Sequence, residues 1–283
     1  TGDSIDTGSI VLESDSLEEI VISGTLRQVS KLDSPVPIEL YTAEFFNSTP
    51  RASLFEAIES INGIRPQLNC SICNTGDIHI NGQEGANTMV LIDGLPLVSG
   101  LSTVYGLTGI PQSLIKQVEV IKGPASTLYG SEAIGGVINL ITKLPENIAR
   151  FNINLFSSSW NELNIDLGAK YAVNNAQGLI GINYFNYSNP IDNNGDGFTD
   201  VTLQHRISIF NKIKTQKNNV AFRYFYEDRW GGQMDWDSSY RGGDQVYGES
   251  IYTSRFEVFG KYDLSENIFL QYSFNNHDQN SVY

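Results

Sequence analysis

The stretch 192–200 reads Asp-Asn-Asn-Gly-Asp-Gly-Phe-Thr-Asp. Asp192, Asn194 and Asp196 place side-chain oxygens at alternate positions. Gly197 permits a sharp turn, Phe198 offers a carbonyl and Asp200 a further carboxylate. Hard oxygen donors at that spacing can wrap Ca²⁺, so this is a candidate calcium loop. The twelfth position holds Leu203 rather than Glu, so the bidentate closing ligand has to come from elsewhere. The plain alternative is an Asn/Asp/Gly loop chosen for its turns.

Two cysteines, Cys70 and Cys73, stand in a Cys-Ser-Ile-Cys stretch. Three readings are open. In an oxidising compartment the pair is a short disulfide. As thiolates they suit a soft ion such as Cu(I). Otherwise they are inert thiols. Only Met89 and Met234 supply thioethers, which argues against a dedicated copper path. His79 is nearby, but a lone strand histidine is more often a hydrogen-bonding residue than a ligand.

Aromatic and polar clusters mark two further segments. Residues 229–252 carry Trp230, Trp236, Tyr240, Tyr247 and Tyr252 among acids, Arg229 and Arg241. Residues 96–107 carry Ser99, Ser102, Thr103 and Tyr105 between glycines. Aromatics interleaved with charge suit a large planar or hydrophobic chelate. Cys70, Cys73, Ser99, Ser102, Tyr105, Trp230, Trp236 and Tyr240 are therefore the candidate substrate contacts. No catalytic pattern competes. G-x-S-x-G, the P-loop and H-E-x-x-H are all missing, and the histidines are His79, His205 and His277. The chain reads as a non-enzyme.

The 283 residues suffice for one large or two ordinary domains. A net charge of −14 disfavours nucleic acid as a partner. With 14 Tyr, 14 Phe and 26 Gly the composition suits a β-rich protein. No apolar run reaches the roughly 18 residues of a membrane-spanning helix. That leaves a membrane barrel open, because a barrel is marked only by weak alternation. No secretory signal is visible, so an exported form would begin after its cleavage site.

Along the chain, 1–17 is acidic and aperiodic and reads as a flexible lead. Residues 18–24, Glu-Glu-Ile-Val-Ile-Ser-Gly, form a short β-prone run able to add to a partner's sheet edge. Residues 36–145 read as a compact α/β unit. Strands are expected at 36–40, 77–81, 88–92, 118–121 and 137–141. A helix is expected after Ser53, with Glu56 completing a capping box, and a short one at 111–116. From 150 onward the period becomes two. Leu163, Ile165, Leu167 and Ala169 alternate with Asn164, Asp166, Gly168 and Lys170. Such strands have one apolar and one polar face. Connections at 174–177, 215–218 and 265–267 are short, whereas 190–202 and 229–252 are long. Short turns at one rim and long loops at the other are an outer-membrane barrel pattern.

Two motifs carry a family resemblance. Residues 118–143 read Val-Glu-Val-Ile-Lys-Gly-Pro-Ala-Ser-Thr-Leu-Tyr-Gly-Ser-Glu-Ala-Ile-Gly-Gly-Val-Ile-Asn-Leu-Ile-Thr-Lys. Upstream stands Leu91-Ile92-Asp93-Gly94-Leu95-Pro96-Leu97. Both closely resemble hallmarks of the plug domain of TonB-dependent outer-membrane receptors. One departure is Asn62-Gly63-Ile64-Arg65-Pro66-Gln67-Leu68, which replaces the family's Ile-Pro-Gly-Val type motif.

The resemblance implies an α+β plug inside a transmembrane antiparallel β-barrel. It divides the chain into a lead at 1–17, a Ton box at 18–24, a plug at 25–147 and the first barrel strands at 148–283. Within the Ton box, Glu19, Ile20, Val21, Ile22 and Ser23 would bind TonB from the periplasm. Plugged barrels have about 22 strands, and about seven are expected here, so the chain reads as part of a longer polypeptide. The implied activity is active import of a scarce, bulky nutrient: a ferric siderophore, haem or cobalamin, with copper import as the alternative. Its partners would be TonB, the outer-membrane bilayer and the chelate, with room for a surface lipoprotein. The rival class is a non-transporting surface-binding barrel.

Overall fold

The computed structural model describes residues 19–25, 27–48, 51, 53–70, 75–97, 107–108, 110–265 and 268–283. Short, nearly continuous apolar runs build one sheet and strands with a two-residue period build another. The smaller is the plug sheet. Its strands are β3 (Glu39–Thr42), β6 (Thr88–Ile92), β7 (Leu95–Pro96), β8 (Ile115–Ile121) and β9 (Gly136–Thr142), in the order β3-β8-β9-β6-β7. β6 and β9 are parallel, and β8 and β9 antiparallel. Every residue of β6 and β9 is buried, as expected of a strand covered on both faces.

Side-chain alternation assigns those faces. Val90, Ile92, Val118, Val120, Ile138 and Leu140 join one core. Helix α2 (Leu54–Ala57) and the hairpin of β4 (Ile64–Cys70) and β5 (Thr75–Ile80) complete it. So do Leu179, Phe210, Ala221 and Phe259 from the larger sheet. Met89, Leu91, Ile121 and Val137 point the other way, into a second core with Ile38, Ala125, Ala133 and Val21.

Local chemistry sets the ends of these elements. Ser53 caps α2, its hydroxyl accepting a bond from the Glu56 amide at 3.3 Å, which is one half of the expected capping box; the Glu56 carboxylate accepts from the same hydroxyl rather than from the Ser53 amide. The strand expected at 36–40 instead occupies Glu39–Thr42 and leads into an unexpected helix, α1 (Ala43–Ser48). The expected helix at 111–116 is a single 3₁₀ turn, Gln112–Leu114. Between β8 and β9 lies the helical turn α3 (Ser126–Tyr129). Gly136 enters β9 at φ 153°, and a Cβ there would lie 2.4 Å from the Ile121 carbonyl. Only glycine allows β8 and β9 to pair so closely at that point.

The larger sheet has seven consecutive antiparallel strands. They are β10 (Phe151–Ser157), β11 (Leu163–Val173), β12 (Ala176–Tyr187), β13 (Leu203–Lys214), β14 (Asn218–Gly232), β15 (Gly248–Asp263) and β16 (Phe269–Val282). One rim has the connections 174–175, 215–217 and 264–268. The other has 158–162, 188–202 and 233–247. The long connection expected at 229–252 is shortened because β14 and β15 extend into it. The first connection, 158–162, departs from the long-loop rule.

This sheet curls around the plug with its polar face inward. Asn164, Asp166, Asn183, Arg206, Ser208, Arg223, Glu227, Arg255 and Glu257 are buried. Phe151, Ile153, Leu155, Ile182, Ile209, Tyr224, Phe256, Leu270 and Phe274 are exposed on its outside. No helix is long and apolar enough to cross a membrane among the described residues.

Candidate functional site

The segment expected to bind a partner strand is seated on the plug. Ile20–Val21 form the short strand β1 and pair with β2 (Val29–Ser30). Val21 and Ser23 are fully buried, while Glu19 and Ile20 are exposed. Glu19 forms an ion pair with Lys31 at 2.6 Å. Glu18 lies outside the described residues.

What receives the segment is the polar pair Glu119 and Asn139, directly opposite each other across β8 and β9. The Glu119 carboxylate accepts bonds from the Ile22 amide at 3.0 and 3.1 Å, the Ser23 amide at 2.8 Å and the Ser23 hydroxyl at 2.5 Å. Gln117 Nε2 donates to Glu119 at 3.0 Å and to the Ile20 carbonyl at 3.0 Å. Asn139 Nδ2 donates to Ser23 Oγ at 2.9 Å. The Tyr129 hydroxyl donates to the Ser23 carbonyl at 2.9 Å. That hydroxyl is pushed well above the usual tyrosine range by burial and by the Glu119 charge.

The same polar chain continues to the barrel wall. Asn139 Oδ1 accepts from the Gly94 amide at 3.0 Å. Gly94 and Asp93 form the turn between β6 and β7, both in the left-handed region, at φ 80° and 51°. Asp93 accepts from the Thr142 amide at 2.9 Å and from its hydroxyl at 2.7 Å. Lys212, reaching in from β13, pairs with Asp93 at 2.8 Å. Both family-like motifs therefore meet here: Asp93-Gly94 from one, Glu119 and Asn139 from the other. Next to this chain is a cavity of about 330 Å³, lined by Ile20, Ile22, Lys116, Lys212 and Lys217 among others.

Farther along the inner wall, charges pair across strands. Arg223 and Arg255 both bind Glu257, the latter at 2.7 Å. Arg229 lies 2.9 Å from Glu227. The polar phase of β14 and β15 signals these positions, of which sequence reading names only Arg229, within the 229–252 cluster. Glu119 has a signal too: it is a carboxylate set between Val118 and Val120 in the apolar end of β8.

At the rim of the longer loops, residues 192–200 fold as nested turns. Asp192 accepts from the amides of Gly195 at 2.7 Å and Gly197 at 2.9 Å. Asp196 accepts from the Phe198 amide at 2.8 Å, and Asp200 from the Asn193 amide at 2.7 Å. The Gly197 amide foremost holds the Asp192 carboxyl below the usual range. Asn194 receives the Asp196 amide at 2.9 Å. Among the described residues no three His, Cys, Asp or Glu side chains form a group able to hold a metal ion.

The expected substrate contacts are dispersed. Trp236 is buried and its indole lies where a Cβ on Gly248 would be. The Arg241 guanidinium is 5.7 Å from the Trp236 ring and 4.1 Å over Tyr252. Trp230 packs against Phe185, Tyr187 and Leu203. Tyr240 ends a 3₁₀ turn in the 233–247 loop. Cys70 ends β4 opposite Thr75. Cys73, Ser99, Ser102 and Tyr105 lie outside the described residues. A cavity of about 420 Å³ that sequence reading missed opens between Arg51, Glu56, Trp160, Glu162 and Tyr187.

A plug sheet held by a curved, apolar-out and charged-in antiparallel wall defines a plugged-barrel architecture. Residues 30–137 match the family model for the TonB-dependent Receptor Plug Domain. The ferric enterobactin receptor PirA of Pseudomonas aeruginosa is 31% identical over 178 residues, 53% of this chain and 24% of the relative. The chain thus spans about a quarter of that relative's length. The siderophore receptor PiuA of Acinetobacter baumannii matches with a TM-score of 0.62 at 18% identity, over 92% of this chain and 38% of that one. P. aeruginosa FpvA in complex with a ferric pyoverdine matches at 0.65 and 16% identity, over 91% and 36%. The ferric-catecholate import receptor Fiu of E. coli K12 matches at 0.60 and 15% identity, over 90% and 40%. These likenesses carry the fold.

Proposed function

We propose that this chain serves the TonB-dependent import of an iron–siderophore chelate across the outer membrane. The observation that carries the reading is the seating of 19–23 against Glu119 and Asn139. A β-prone strand is held there, at the plug face away from the barrel-packed core, through contacts that a competing strand can replace. Supporting it, the relatives named above are a ferric enterobactin receptor, a siderophore receptor, a protein bound to a ferric pyoverdine and a ferric-catecholate import receptor. In this reading TonB takes the 19–23 strand from the periplasm. The outward apolar residues meet the bilayer, and the long-loop rim faces the medium. Calcium in the 192–200 loop and a Cys70–Cys73 disulfide at the plug apex belong to the same proposal.

The test is Val21→Pro in the complete receptor. Proline removes a backbone donor and fixes φ, so strand addition fails. Ferric enterobactin uptake by cells should stop while surface binding of the chelate persists. Normal uptake by this variant would sink the coupling role of 19–23. Failure of the unaltered receptor to bind any ferric siderophore would sink the substrate class.

A further inference from the structure

We infer that Glu119 is the positioning residue that seats the coupling strand, gripping it by its backbone so that one buried carboxylate sets how readily the strand is released. The inference rests on the coupling reading of 19–23 given above. Glu119 is 0% exposed and lies between Val118 and Val120, both also buried. Among the described residues no lysine, arginine or histidine pairs with it. Its negative charge is met by hydrogen-bond donors alone. Three of these belong to the coupling segment: the amides of Ile22 and Ser23 and the Ser23 hydroxyl. The fourth is Gln117.

The consequence follows from burial. A buried carboxylate left without its donors bears the full penalty of its desolvation with nothing to offset it. Detaching the segment strips Glu119 of every donor except Gln117. Seat and strand therefore separate only when something replaces those donors, and water from the adjoining cavity is the available source. The grip also fixes register. Two of the donors are main-chain amides, indifferent to side-chain identity. Ser23 alone is read by its side chain, from Glu119 and Asn139 together. A slip of one residue would turn Val21 out of the second core. Glu119 thus holds the strand in one position without consuming the side chains a partner strand would read.

A purely structural polar residue would behave differently from a seat. Glu119→Gln keeps the shape but turns one acceptor into a donor facing other donors. The experiment uses the complete receptor with Cys70→Ser and Cys73→Ser and a spin label on Ile20→Cys. In that parent the label should be immobilised. Glu119→Gln should mobilise it, and Ser23→Ala should do so to a smaller degree. In the unlabelled receptor, with Ile20 intact, a periplasmic TonB fragment should bind Glu119→Gln without substrate about tenfold more tightly than the parent, because the competent state is no longer masked. Simple damage to the plug would not tighten that binding. Labels as immobile in both variants as in the parent would overturn the inference, and Ser23→Ala carries the test if Glu119→Gln does not assemble. Mobile labels with no TonB binding in parent or variant would leave the seat standing and sink the coupling reading.

Discussion

Asp93 holds a left-handed backbone conformation in the β6–β7 turn, beside Gly94, so the turn closes in two residues. That geometry aims the Asp93 carboxylate at Thr142 and Lys212. The Lys212 side chain is 3% exposed and its partner 16%. Such a pair is worth little as a net stabiliser but is costly to break from one side. Lys212→Met should destabilise the plug's seat by about 2–3 kcal/mol, less than a fully orphaned charge because Thr142 still donates twice. Hydrogen exchange over 88–97 should quicken in this variant while that of β13 keeps its rate. Unchanged exchange over 88–97 would mean that Asp93 is anchored by the plug alone.

At the scale of elements, the loop 192–200 shows how far local sequence carries. Asp192, Asn194 and Asp196 alternate as a calcium loop does, and Gly195 and Gly197 take φ values of 74° and 82°. Their oxygens are engaged by backbone amides, which is what a turn alone requires. The proposed calcium would have to draw Asp192, Asn194, Asp196, the Phe198 carbonyl and Asp200 onto one ion. Calcium should then protect the loop from proteolysis, and Asp196→Ala should abolish the protection. Equal cleavage with chelator and with excess calcium would leave the loop a turn. Legibility divides in the same way elsewhere. β6, β8 and β9 were readable as short apolar runs and the wall strands by their two-residue alternation, both of which are local signals. The helix α1 was not, since its Phe45 and Phe46 do not repeat for long enough to show a helical face. The seat at Glu119 was readable only as an oddity, because its partners lie 96 and 97 residues away in sequence.

For the molecule as a whole, inside and outside are inverted relative to a soluble sheet. The inner wall carries Arg206, Arg223, Arg229 and Arg255 with Glu227 and Glu257, all buried. Facing solvent instead are Ile, Leu, Phe and Tyr side chains on every strand from β10 to β16. Exposed apolar area of this extent needs an apolar neighbour. A bilayer is the neighbour that an antiparallel wall with its backbone bonds made within the sheet can accept. Ile209 is near the middle of β13 on the outer face, and its neighbour Ser208 is fully buried on the inner one. Ile209→Arg should therefore cost about 2–4 kcal/mol of barrel stability if that position meets the bilayer midplane. The loss should appear as a lower fraction of folded, heat-modifiable receptor in lipid vesicles, and as a smaller loss in thin-chain lipids. An Ile209→Arg receptor that folds as fully as its parent in thick bilayers would show that this face does not meet lipid.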